Sequence, residues 1–190
     1  MGVTIMQRRI LGVEDSPTQA EHLRCLLEQN GYAVTVTANG RQALAAAPTG
    51  QPAIIISDIV MPEMDGYSLC REIKSDPRLK GIPVILVTEL SSPQDVLKGL
   101  RCGADSFIRK PYDQQYLLSR LRYIEANQEL RRSDERQTGV SIEVAGERHF
   151  ITAARQQILD LLISTYEEAV HLNEELKAKQ KDLQRSSQFL

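Results

Sequence analysis

From Arg8 to about Asn127, short apolar runs alternate with amphipathic stretches five times over. That alternation limits the chain to helices layered on a largely parallel sheet. The strand candidates are Arg9–Val13, Ala33–Thr37, Ala53–Ser57, Val84–Thr88 and Ser106–Ile108. Ile54–Ile56 and Val84–Val87 are apolar at every position, as central strands covered on both faces require. With 190 residues and 42% hydrophobic content, the chain is long enough for a domain-sized core.

Punctuation between the runs supports this reading. Ser16-Pro17-Thr18-Gln19 reads as an N-cap, a proline at the first helical position and a reciprocal capping partner. Gly31 suits the left-handed residue beyond that helix. Ser92-Pro93-Gln94-Asp95 repeats the start signal and Gly103 the stop, while Asp113 can cap a last helix burying Leu117, Leu118, Leu121 and Ile124. Right-handed crossovers then lead to a doubly wound, flavodoxin-like five-stranded sheet of order 2-1-3-4-5. Strands 1 and 3 are neighbours in that order, so Glu14, Asp15 and Asp58 meet at the topological switch.

The residues at those strand ends are chemically matched. Asp58 follows Ile54–Ile56 and Ser57, Glu14-Asp15 ends the first strand, and Lys110-Pro111 ends the fifth. Phosphoryl transfer to a carboxylate needs an exposed nucleophilic Asp, a divalent cation and fixed donors for the phosphoryl oxygens. Asp58 fits the nucleophile, and Glu14 and Asp15 add carboxylates for a hard cation such as Mg²⁺. Lys110 supplies the countercharge. Taken singly, each has a plainer reading: a strand-end Asp as a helix cap, Glu14-Asp15 as surface acid, Phe107 as core. Their joint order, with the Met61-Pro62 and Asp65-Gly66 turn, makes the shared site the better reading.

Over roughly residues 7–128 these motifs resemble the receiver domain of two-component response regulators. The resemblance implies a phosphoacceptor, rather than an enzyme, that is phosphorylated on Asp58. The donor would be a phosphohistidine on a sensor histidine kinase or a histidine phosphotransfer protein. It implies Mg²⁺ held by Glu14, Asp15, Asp58 and the Val60 backbone carbonyl. Lys110, preceding a cis peptide to Pro111, and Thr88 would act on the phosphoryl group, with Thr88 and Phe107 as the switch pair. Glu89 departs from the pattern, because the family usually carries a small residue after the Thr88 position. It would either repel an anionic donor or lie outside the pocket towards solvent.

Several functions are disfavoured. A net charge of −2 argues against a dedicated nucleic-acid surface, and no apolar run approaches the ~20 residues of a membrane span. Met1–Arg9 has no secretory apolar region, and the odd trio Cys25, Cys70 and Cys102 reads as buried or incidental thiols in a reducing cytosol. His22 falls in the first helix and His149 in the hairpin; His171, on the long helix, lacks the surroundings of a kinase phosphoacceptor, and no ATP-binding boxes accompany it.

The expected organisation is a receiver over 1–128, a linker and β-hairpin over 129–152, and a coiled-coil helix over 153–190. Val140–Val144 alternates, and Ala145-Gly146-Glu147 can turn it into Arg148–Thr152. Ile158, Leu162, Thr165, Ala169, Leu172, Leu176, Lys179 and Leu183 form a seam at spacings of four and three, which favours a homodimer. A single helix folded back on the receiver is the alternative. The region Gly139–Glu175 resembles, more loosely, the connector after N-terminal receivers of bacterial hybrid sensor kinases. Leu190 falls in mid-pattern, as in a part of a longer protein. A stand-alone receiver and coiled coil acting through protein contacts is the runner-up.

Overall fold

The computed structural model describes residues 8–89, 98–99, 101–126, 137–144 and 147–154, with 173, 176–177 and 179–180. Five parallel strands form the main sheet: β1 (Arg9–Val13), β2 (Ala33–Thr37), β3 (Ile54–Asp58), β4 (Val84–Thr88) and β5 (Ser106–Arg109). Their order is β2-β1-β3-β4-β5. β4 is buried along its whole length, whereas the edge strand β2 is only partly covered.

Because side chains alternate across a strand, each strand feeds two cores. On one face Leu11, Val13, Ile55, Val84 and Leu86 pack with Ala43 and Ala47 of α2 (Gly40–Gly50) and Leu69 and Ile73 of α3 (Gly66–Ser75). On the other, Ile10, Ile54, Ile56, Ile85 and Val87 meet Leu23, Leu26 and Leu27 of α1 (Pro17–Gln29). Leu117, Leu121 and Ile124 of the closing helix, Gln114–Ala126, complete that second core. Each fully buried Ile or Leu contributes roughly 1.5–3 kcal/mol relative to exposure. Leu118, expected to be buried with them, is only partly covered.

Three local readings shift. β3 starts and ends one residue later than expected, because Asp58 pairs with Val87 in the ladder. β5 extends to Arg109, which pairs with Thr88. Ser16 makes no side-chain cap bond to α1, and its own N–H donates to Glu14 Oε1 at 3.2 Å. Glu14 thus performs the task that the motif assigned to Gln19. The other caps act as read: Asp113 Oδ1 accepts from Gln115 N and Tyr116 N at 2.7 and 3.1 Å. Gly31 and Gly103 both have left-handed φ, 86° and 80°.

Residues 98, 99, 101 and 102 are helical, and the start signal at Ser92-Pro93 lies outside the described residues. β6 (Gln137–Val144) pairs antiparallel with β7 (Glu147–Ala154), a longer hairpin than expected. Glu147, expected in the turn, pairs with Val144, and Ala153 and Ala154, expected at the start of the long helix, pair with Thr138 and Gln137. Of the expected coiled-coil seam, only Leu176 and Lys179 are described, both exposed; Ile158, Leu162, Thr165, Ala169, Leu172 and Leu183 lie outside, as does His171. Among the described residues no helix is long and apolar enough to cross a membrane.

Candidate functional site

Strand register brings the candidate residues to one edge. Val13 is opposite Ser57, so Glu14 and Asp58 leave β1 and β3 side by side. Asp58 is opposite Val87 and Thr88 opposite Arg109, which sets Thr88 and Lys110 on the same rim. Backbone bonds hold the rim: Glu14 N donates to Thr37 O at 3.0 Å and Lys110 N to Thr88 O at 2.7 Å. The Lys110-Pro111 peptide is cis.

Lys110 Nζ is the centre of the cluster. It donates to Asp58 Oδ2 at 2.7 Å, Glu14 Oε2 at 2.9 Å and Gln19 Oε1 at 2.7 Å. Glu14 is buried, Asp58 half-buried and Asp15 exposed, so the cluster opens to solvent on the Asp15 side. One carboxylate oxygen from each of Glu14, Asp15 and Asp58 lies within 4.8 Å of the others. Three acids against one lysine leave the site negative, and at this spacing their mutual repulsion costs energy that a cation relieves. An all-carboxylate donor set of this kind fits a hard divalent ion such as Mg²⁺.

Burial pulls the Lys110 ammonium down, but its bonds to Asp58 and Glu14 outweigh that and raise its pKa above the ordinary lysine value. The lysine is therefore a fixed positive charge at neutral pH. Tyr112, just beyond Pro111, is half-buried beside it; burial pushes its phenol up, with Lys110 opposing and Glu14 and Asp58 assisting.

The surroundings are tightly built. Ile59 N donates to Asp58 Oδ1 at 2.6 Å, fixing the carboxylate against its own strand end. A Cβ on Gly66 would lie 2.3 Å from Asp58 O, so only glycine lets the start of α3 pass there. Asp65 caps that helix by accepting from Ser68 N at 2.7 Å. Val60, two residues past Asp58, turns its side chain to solvent at 68% exposure. Thr88 is buried at the end of β4, and Glu89 beyond it is exposed. Phe107 is buried with its ring against Gly99, where a Cβ would sit 2.0 Å from Cε2 and Cζ.

The pattern of the response regulator receiver domain family matches residues 10–122, more than half of the chain. This chain belongs to that family. The receiver is 40% identical over 117 residues to response regulator PleD of Caulobacter vibrioides, covering 62% of this chain and 26% of PleD. It thus spans about a quarter of that relative's length. DNA-binding response regulator MtrA of Mycolicibacterium smegmatis is 31% identical over 169 residues, 84% of this chain and 71% of MtrA. Among solved structures, the receiver domain of a signal transduction histidine kinase from Syntrophus aciditrophicus is 47% identical with TM-score 0.60. That match covers 73% of this chain and 98% of the other. The receiver domain of the Pseudomonas aeruginosa sensor histidine kinase PA1611, solved with magnesium in its active-site cleft, is 31% identical with TM-score 0.58, covering 62% and 96%.

Sequence reasoning missed Gln19 and Gly99. Gln19 carried a signal, but the capping motif already accounted for it. Gly99 sits four residues before Gly103 in a helical stretch, and nothing local marks it as the seat of a ring eight residues on.

Proposed function

We propose that this chain is the phosphoacceptor module of a two-component phosphorelay, with Asp58 receiving a phosphoryl group from a phosphohistidine. The donor is a sensor histidine kinase or a histidine phosphotransfer protein. The observation that carries the reading is the Lys110 ammonium 2.7 Å from Asp58 Oδ2 inside an acidic cluster. An Asp58 carboxylate oxygen bonds to phosphorus as the donor's phosphorus–nitrogen bond breaks, and the imidazole leaves with that electron pair. Lys110 offers positive charge to the phosphoryl oxygens, and Thr88 offers its hydroxyl. Glu14, Asp15, Asp58 and the Val60 carbonyl would hold Mg²⁺, which neutralises phosphoryl charge when bound. Phe107, packed next to Gly99, reads out the change.

The wider setting follows the same reading. The receiver occupies 1–128, a linker and hairpin run from 129 to the end of β7 at Ala154, and a helix over 155–190 pairs two copies and passes the state on. The chain would form the N-terminal part of a hybrid sensor kinase acting in the cytoplasm, and the 47% identity with a histidine kinase receiver supports the kinase setting. A second reading is a transcriptional regulator, favoured by an MtrA alignment over 84% of the chain, beyond the receiver itself. Filter binding to DNA with the unphosphorylated and phosphorylated chain separates the two.

The decisive experiment treats the chain with a small phosphodonor and Mg²⁺ and reads intact mass. The native chain should gain one phosphoryl group and Asp58→Ala none. Equal gain by both chains refutes the assignment. Oligomer size in the same samples tests the paired helix.

A further inference from the structure

We propose that Gln19 is a positioning residue that keeps Lys110 aimed at Asp58. This rests on the phosphoacceptor reading and deepens it. An ammonium has three N–H donors, and here they go to Glu14, Asp58 and Gln19 at 2.9, 2.7 and 2.7 Å. Two of those acceptors belong to the acidic cluster. Gln19 is the remaining one, a neutral amide reaching in from the first turn of α1.

Its availability has a structural cause. In a capping box, the residue three beyond the cap turns back to accept the cap residue's N–H. Glu14 Oε1 takes that N–H from Ser16 instead, while Glu14 Oε2 takes Lys110. Gln19 is therefore released from the helix end and reaches Lys110. Pro17 at the first helical position and the Ala20 N to Ser16 O bond at 2.8 Å hold the turn that carries it.

The neutral amide suits the task. A lysine held by carboxylates alone would have two charge-assisted bonds and one N–H turned towards water, and its flexible stem would sample other positions. A third carboxylate at position 19 would fix it, but would add negative charge where an anionic donor must approach. Glutamine holds the third N–H without that charge.

The test measures Asp58 phosphorylation by acetyl phosphate with Mg²⁺ in the full chain, comparing native, Gln19→Ala, Lys110→Ala and the double variant. Gln19→Ala should lower the rate roughly threefold to tenfold, the rate equivalent of one hydrogen bond. In the Lys110→Ala background it should lower it no further. Thr18→Ala, an exposed change on the same turn, should match the native rate. Nitrogen NMR of the Lys110 ammonium gives a readout without phosphate: its exchange-protected signal should broaden or vanish in Gln19→Ala and persist in Thr18→Ala. Label on the native chain with an unchanged Gln19→Ala rate, or additive losses in the double variant, overturns this inference alone. No label on the native chain defeats the phosphoacceptor reading and this inference together.

Discussion

Two lysine–carboxylate clusters mark opposite ends of the same sheet, and they are built on opposite plans. At the amino ends of β4 and β5, Lys74 meets Asp105 Oδ2 at 2.7 Å, with side-chain exposures of 15% and 6%. Backbone groups close this pair: Val84 N donates to the same Asp105 oxygen and Lys74 Nζ donates to Ile82 O, both at 2.8 Å. At the carboxyl ends, Lys110 meets Glu14 and Asp58 with Asp15 nearby, and its partners are all side chains. One cluster is balanced and anchored to the main chain, which fastens α3 to the sheet. The other carries surplus acid around a lysine held by side chains alone, which suits a site that takes on a cation and a phosphoryl group.

Removing a carboxylate should therefore do different things at the two ends. Asp105→Ala should cost about 3 kcal/mol in chemical denaturation, because a largely buried ammonium and a β4 amide lose their acceptor. Phosphorylation of the folded fraction should survive. Equal stability loss in Asp58→Ala would erase the distinction, since that change removes charge from a crowded acidic site.

Gly99→Ala sharpens the picture on the signalling side. The added methyl would overlap the Phe107 ring, so either the ring swings away or the helix shifts, at a cost of about 2 kcal/mol. A crystal structure of that variant should show Phe107 or the helix at residue 99 displaced, and a variant in which neither has moved would remove the packing contact on which the proposed coupling rests. Mg²⁺ gives a smaller effect. At ten times its dissociation constant it should add about 1.4 kcal/mol of stability in thermal melts. Asp15→Asn should shrink that increment, while Asp105→Ala leaves it intact.

The smallest effect concerns pH. Burial, then the neighbouring Glu125 carboxylate, pushes the Tyr32 phenol up against the pull of Arg8 and Arg122. The folded state thus holds that proton more tightly than the unfolded chain does. Its contribution to stability is full below the ordinary phenol value of 10.0 and is lost as pH rises through the higher folded value. Tyr32→Phe should flatten the alkaline limb of the stability curve without touching phosphorylation.

Much of this was legible in the linear chain, because the informative signals were short-range. Apolar periodicity located the five strands to within a residue, and the caps at Asp113, Gly31 and Gly103 act through neighbours a few positions away. Topology rules then brought Glu14, Asp15, Asp58 and Lys110 to one rim without any knowledge of side-chain direction.

What the sequence alone determined is the sheet, its order and which charged residues share its carboxyl edge, since these follow from patterning and chain handedness. Only the tertiary structure decided which partner each long side chain takes. Gln19 had a local option in Ser16 and a distant one in Lys110, and the carboxylate of Glu14 settled the choice by occupying the local bond. Gly99 likewise acquires its meaning from a ring on another element. Flexible side chains have several partners within reach, and the winner depends on distances between segments that meet only when the chain is folded.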